Sequence, residues 1–339
     1  MSLLYTPDTV FNRPFHFMFL TRGTTMLAPS RRSSFLFGLW VFLGIFHCFS
    51  ALRAQQASGL SASVGELKSR AESGDLSAQM ELSEFLLSAS PSAESYDLAL
   101  NWLRSAAAQD SSNAEFVFGY LCHHGHGVPQ DYVQAAQYYQ RAVVHGHRDA
   151  PNNLAVLYQQ GLGVSKDAAK AVELFRTSAQ RGNPTAQYNL AVAYFSGIGT
   201  SRDPYEAAHW FRVSADLNFR RAQHALGVLY CKGAGVPLDF SQAAHWFALA
   251  ANQGYPSAEV DLAALYESGR GLSLDYVAAY TWYSRAAADG DPSASTRLKN
   301  LAHLMTQKQL DRANAILAQS SPSHPSPDKP TDPSFLSGP

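Results

Sequence analysis

The chain has 339 residues, 46% of them hydrophobic and 16% charged, and its 26 Lys and Arg nearly cancel 27 Asp and Glu. That apolar fraction sustains a large buried core and excludes a wholly disordered chain, while charge this sparse and balanced, against about 25% charged residues in an ordinary soluble domain, leaves no basic footprint for nucleic acid. The separated Cys48, Cys122 and Cys231 contain no CxxC pair, so spacing supports neither a disulfide framework nor a thiolate zinc site, and at most one bridge is possible.

Residues 1–57 read as an address. Ser33 to Leu52, "SSFLFGLWVFLGIFHCFSAL", carries no charge, follows Arg31 and Arg32, and precedes "RAQQASG". This is the layout of a signal sequence, with Met26 offering a short basic start. The run is also as long as the roughly 18–20 residues that span a bilayer, so a cleaved signal and a retained anchor both stay open. Arg13, Arg22, Arg31 and Arg32 lie before it and Arg53 alone directly after it. That bias predicts an inside amino end and an exported body, either periplasmic or secreted after cleavage, or held to the membrane by residues 33–52.

From there the chain repeats. Alanines recur at 78, 114, 150, 186, 222, 258 and 294, a period of 36, and positions are given below as offsets from the alanine of their unit. Residues 61–113 read as a degenerate amino-terminal capping repeat, with Ala89, Pro91 and Ser95 where later units have glycines and an aspartate, but with Leu82, Trp102 and Ala106 retained. A short helix around Glu66–Glu72 precedes it. Five full units fill residues 114–292. Offset 4 is Phe118, Leu154, Leu190, Leu226 and Leu262, and offset 8 is Tyr158, Tyr194, Tyr230 and Tyr266 in four of the units. Offsets 0, 4, 7 and 8 share one helical face, which predicts an amphipathic first helix whose core includes the offset-8 tyrosines. Glycines at offsets 11 and 13, for example Gly233 and Gly235, allow the positive φ that ends a helix.

Offset 17 is Asp131, Asp167, Asp203, Asp239 and Asp275, each opening a second helical pattern. Aspartate caps a helix by accepting from free first-turn amides, and Gln134, Glu206 and Gln242 three residues on predict capping boxes. The second helix carries alanine at offset 21, large aromatics at 24 or 25 (Tyr138, Phe175, Trp210, Trp246, Trp282) and Ala or Ser at 28, the small-against-large pattern of close helix packing. Residues 293–319 read as a helical cap in which Thr306 and Gln309 form a capping box. Residues 320–339 are a Ser/Pro-rich tail without periodic apolar positions, expected to be disordered. Two such short helices cannot bury their faces alone, so the units must stack into an all-α solenoid.

The unit "AQHALGVLYCKGAGVPLDFSQAAHWFALAANQG", with A-x-x-x-L-x-x-x-Y-x-x-G-x-G before D-x-x-x-A-x-x-W-F-x-x-A-A, resembles the Sel-one-like repeat, a relative of the tetratricopeptide repeat. The resemblance covers about residues 76–292, and "MTQKQLDRAN" resembles the helical end cap common in that family. It implies a right-handed α-solenoid that binds another protein or peptide on its concave face, with no cofactor. Opposite the buried face of each first helix lie offsets 2, 6 and 9. These are Phe116, Tyr120 and His123; Asn152, Val156 and Gln159; Tyr188, Val192 and Phe195; His224, Val228 and Cys231. By the resemblance they line the groove.

The stretch "LCHHGHGV", 121–128, invites a metal reading. In register, however, it is one copy of the inter-helix turn, with Cys122 at a core offset and His123, His124 and His126 at variable ones. His145 and His147 fall at the other end of the hairpin, about 20 Å away by helix rise. A solvated turn without metal is expected. His209 and His245 recur beside Trp210 and Trp246 as repeat positions. The sequence contains no nucleophile elbow, phosphate loop or acid pair, and its GxG turns join two helices where a dinucleotide fingerprint follows a strand. No catalytic residue is therefore expected. An alternative follows from the resemblance, because some exported, cysteine-rich relatives are associated with β-lactam binding or hydrolysis. The paired cysteines of that group are absent here, which disfavours a β-lactamase-like or cell-wall-active enzyme against an exported interaction scaffold, or one assembling polysaccharide or secretion machinery.

Overall fold

The structure, a computed structural model, describes residues 64–89 and 93–319. The apolar segment 33–52 and the tail 320–339 lie outside the described residues. The chain divides after Ser61, and everything described belongs to the second unit, Ala62–Pro339.

Among the described residues there are fifteen helices and no strand. Helix α1 covers 64–72, followed by α2 (Leu76–Ala89) and α3 (Ala93–Ala107). Then come the pairs α4 (Ser112–His124) and α5 (Tyr132–Val144), α6 (Ala150–Gln160) and α7 (Ala168–Gln180), α8 (Pro184–Ser196) and α9 (Pro204–Asp216), α10 (Arg220–Lys232) and α11 (Phe240–Asn252), α12 (Pro256–Ser268) and α13 (Tyr276–Ala288). A final pair, α14 (Pro292–Leu304) and α15 (Gln307–Gln319), folds back on α13. From α2 to α14 each helix packs on the next in sequence, as an α-solenoid requires, and α15 packs on α13. No described helix is long and apolar enough to cross a membrane.

The offset-17 aspartates cap as expected: Asp131 and Asp167 accept from one first-turn amide, and Asp203, Asp239 and Asp275 from two. Each such cap contributes about 1 kcal/mol. The return half of the expected boxes does not form at Gln134, Glu206 or Gln242. The backbone N–H of each aspartate instead donates to the offset-8 carbonyl of the preceding helix (Cys122, Tyr158, Tyr194, Tyr230, Tyr266) at 2.8–3.0 Å. That bond closes the hairpin, and Gln134 accepts from the Cys122 thiol. At Thr306 the amide is free of such a partner, and the full box forms: Thr306 N–H donates to Gln309 Oε1 at 2.8 Å and Gln309 N–H to Thr306 Oγ1 at 3.3 Å.

Packing sorts the ambiguous positions. The offset-25 ring is the core member (Tyr139, Phe175, Phe211, Phe247, Tyr283), while Tyr138, Trp210, Trp246 and Trp282 at offset 24 are partly buried at its edge. The ring presses on a small residue at offset 5 of the first helix, and a methyl group on Gly119 or Gly227 would come within 2.8 or 2.5 Å of it. Offset 8 is not uniformly core. Cys122 and Tyr230 are buried, but Tyr158, Tyr194 and Tyr266 are half-buried. The Tyr194 and Tyr230 hydroxyls accept from Arg176 and Arg212 of the preceding unit.

A buried polar row at offset 1 stitches consecutive units. Gln79, Gln187 and Gln223 donate through Nε2 to the carbonyls of Ala71, Ala179 and Ala215, eight residues back, at 3.1–3.2 Å. Where the position is Glu115 the side chain cannot donate, and Arg141 substitutes: its Nη2 bonds Ala107 O and its Nε approaches Glu115 Oε1, both at 2.8 Å. The carbonyls of Ala71, Ala107, Ala179 and Ala215 thus each keep a side-chain donor.

Candidate functional site

The outward arc of the first helices is a half-buried strip. On α4, Phe116 is buried and stacks on His147 at 4.1 Å, and Tyr120 stacks on His124 at 4.0 Å. His123 lies 3.4 Å from the Tyr139 hydroxyl. Burial, and secondarily His124, pushes its pKa down to about 4, so this imidazole is neutral at ordinary pH. On α6, Asn152 is buried and accepts from Asn189 of the next unit at 3.0 Å, while Val156 and Gln159 are half-buried. On α8, Tyr188 packs between Phe211 and Phe219 at 5.5 and 5.6 Å. Val192 and Phe195 are half-buried, with the Arg202 guanidinium 5.8 Å from the Phe195 ring. On α10, His224 bonds Asp261 of the next unit at 2.8 Å, and Val228 and Cys231 are half-buried. Burial lifts the Cys231 thiol, with Asp261 adding to it, so it is a protonated apolar side chain and not a nucleophile.

Phe116 and Asn152 therefore face neighbouring helices, and Tyr188 acts mainly as packing. The side chains with surface to offer are Tyr120, His123, Val156, Gln159, Val192, Phe195, His224, Val228 and Cys231. Sequence reasoning missed the offset-3 partners, Asn189 and Asp261, which bind the offset-2 residue of the unit before. Their signal was a polar residue immediately after the outward position in three of the five units, Asn153, Asn189 and Asp261. Because Asp261 is engaged by His224 and Glu267 accepts from Tyr283, the strip presents little free negative charge.

In the turn that begins at His123, the His123, His124 and His126 rings stack on one another and on Tyr120 instead of converging on a point. Among the described residues, the group of ligand atoms close enough to share an ion is Asp110, Glu115 and His145. There Arg141 Nε already sits 2.8 Å from Glu115 Oε1, and His145 Nδ1 donates to Oε2 at 2.8 Å. The buried carboxylate is neutralised by a guanidinium in the place a metal would take. His209 and His245 hold equivalent places, edge-on to Trp210 and Trp246 at 5.4 and 5.3 Å. What this arrangement offers chemically is a polar-rimmed apolar strip suited to binding.

The family model of the Sel1 repeat matches six consecutive segments, 76–111, 112–147, 149–183, 184–219, 220–255 and 256–291. Among solved structures, the chain is similar to a protective antigen of uropathogenic Escherichia coli displaying an SLR fold. The identity is 33% and the TM-score 0.69, over 74% of this chain and 54% of that one. It is similar to a Sel1 repeat protein from Oxalobacter formigenes at 30% identity and TM-score 0.58, over 65% of this chain and 90% of that one. A chitin synthase regulator of Malassezia restricta matches at 43% identity over 56 residues, 16% of this chain and 4% of the regulator. The chain thus spans about half the length of the antigen and a small fraction of the regulator.

Proposed function

Because the chain belongs to the Sel1 repeat family, whose stacked helix pairs serve as protein-interaction scaffolds, we propose that it is an exported, non-catalytic scaffold that captures a protein or peptide on the outward strip of its first helices. One observation supports the placement above the others: Val192, Phe195, Val228 and Cys231 form an apolar row across α8 and α10 that the solenoid leaves half-open. Buried-core contacts of this kind, ringed by polar groups such as Gln159 and His224, are where binding energy concentrates.

Pull-down from membranes with the full chain as bait tests the reading. Val192→Ala with Phe195→Ala is expected to weaken capture by about 2 kcal/mol, roughly thirtyfold, with little shift in the thermal melt. A lowered melt with undiminished capture by the folded fraction would make these residues core and remove the groove assignment. Export rests on the arginine-flanked apolar run 33–52. Residues 26–60 fused to a periplasm-dependent reporter are expected to give activity, and reporter activity confined to the cytoplasm would reject export.

A further inference from the structure

The opposite feature of the units, their glycine turns, makes a second surface. Gly235 lies against the backbone of Pro204 and Tyr205, and Gly271 against Phe240 and Ser241, where Ser241 Oγ donates to Gly271 O at 3.1 Å. Successive turns are therefore side by side, each seated on the first turn of the previous unit's second helix. Along this edge large apolar side chains stand out into solvent: Ile198 is 46% exposed, Tyr205 77%, Leu238 59% and Leu274 58%. Core-forming residues at such exposures, repeated unit after unit, mark an interaction surface.

Cations accompany them. Arg202, Lys232 and Arg270 are exposed on the same turns and form no ion pair among the described residues. Lys308 and Arg312 line a hollow of about 240 Å³ beside Leu274. The acids of this edge, Asp203, Asp239 and Asp275, are each bound by two amides of a helix amino end, which offsets their charge where it stands. Two further exposed acids, Glu206 and Asp311, the latter accepting from Gln307, stand beside these five cations.

We propose that this turn edge docks on an anionic lipid surface. Ile198, Tyr205, Leu238 and Leu274 enter the headgroup–acyl boundary, and Arg202, Lys232, Arg270 and Lys308 meet the lipid phosphates. A lipid interface fits better than a protein because the exposed apolar side chains are spread one or two to a unit among the cations. Insertion into a fluid boundary needs no matching shape, whereas protein hot spots require packed pockets. The surface adjoins the groove at Arg202, whose guanidinium lies against Phe195, so substitutions at Ile198, Leu238 and Leu274, which leave Val192 and Phe195 in place, separate vesicle binding from partner capture.

The test is co-sedimentation of the full chain with vesicles of phosphatidylcholine alone or with about one-third phosphatidylglycerol, at low and high salt. The full chain is expected to partition at least about tenfold more strongly onto the anionic vesicles, with the preference lost at high salt. A variant with Arg202→Gln, Lys232→Gln, Arg270→Gln and Lys308→Gln is expected to lose that preference. Ile198→Ser with Leu238→Ser and Leu274→Ser is expected to lower anionic-vesicle binding at least about threefold with an unchanged melt. The charge variant alters only exposed side chains, two of which, Arg202 and Arg270, lie over the Phe195 and Phe240 rings, so with its melt measured alongside it decides the matter even where the serine variant folds poorly. Equal partition onto both vesicles, an anionic preference that survives loss of the four cations, or retention by an acidic protein without vesicle binding would each overturn the proposal.

Discussion

Replacing Gly235 with alanine is expected to destabilise the solenoid by at least about 3 kcal/mol, while the same change at Gly233, two residues away, costs about 1 kcal/mol. Both glycines have positive φ, +73° and +63°, so both variants carry the left-handed penalty of about 1–2 kcal/mol. The difference lies in what the new methyl meets. At Gly233 the nearest atoms are those of Leu238, from 3.4 Å, an ordinary contact. At Gly235 the Cβ would lie 1.9 Å from Pro204 O and 2.4 Å from its carbonyl carbon. Backbone cannot rotate away as a side chain can, so the unit of α10 and α11 must lift off that of α8 and α9. In a structure whose stability is a sum of units and nearest-neighbour interfaces, loss of one interface uncouples the two halves. Paired chemical melts of the two variants check this. Equal losses would mean that the second glycine serves only the turn and not the contact between units.

At the other end of the repeats, Glu259→Gln is expected to stabilise the protein by about 2–3 kcal/mol at pH 8 and by less than about 1 kcal/mol near pH 4.5. Glu259 occupies the buried offset-1 position, has no exposed surface, and neither carboxylate oxygen has a hydrogen-bond partner. Arg285 Nε is 3.6 Å away. Burial drives the pKa up from its ordinary 4.5 to about 7, against the pull of Arg285 and with a further push from Asp289. The equivalent of Asp289 in the Glu115 unit is His145, which bonds Glu115, so the same position helps one glutamate and opposes the other. Since the folded pKa lies above the unfolded one, folding favours the protonated acid. That contribution is complete below about pH 4.5 and is lost as pH rises through about 7, a difference of roughly 3 kcal/mol at 1.36 kcal/mol per pK unit. Glutamine removes the titration and places an Nε2 donor where Gln187 and Gln223 use theirs. Urea melts across pH 4.5–8.5 read the effect. A stabilisation independent of pH, or a loss at pH 8, would show that Glu259 is not the group whose charging weakens the fold.

Glu259 and Gly235 also mark where sequence reasoning stops. The period of 36, the first helices, the turn ends and the offset-17 caps were legible because each is a local event. An apolar stripe defines a helix by its own spacing, a left-handed glycine ends it, and an aspartate caps the helix it begins. The stacked fold followed, since neither helix can bury its face alone. What remained hidden depends on which group of the neighbouring unit lies opposite. The offset-17 amide never returns to its own Gln or Glu because a carbonyl of the previous helix takes it first. The second glycine of the turn is required by a backbone about thirty residues earlier at Gly163, Gly199, Gly235 and Gly271, and by the Tyr96 side chain at Gly127. Offset 1 reads as a variable polar position until the Ala carbonyl eight residues back, and the arginine that stands in where glutamine is missing, are seen together. Phe116, Asn152 and Tyr188 follow the same rule. A helical wheel places them outward, but Phe116 is covered by His147 and Tyr188 half-covered by Phe219, both from the turn that closes their own unit, and Asn152 is met by Asn189 of the next. Periodicity thus determined each helix and its buried stripe, because those forces act within one turn of chain. Only the tertiary packing decided which outward residues stay open, because burial there depends on the closing turn of the same unit and on the first helix of the next, which no single helix specifies.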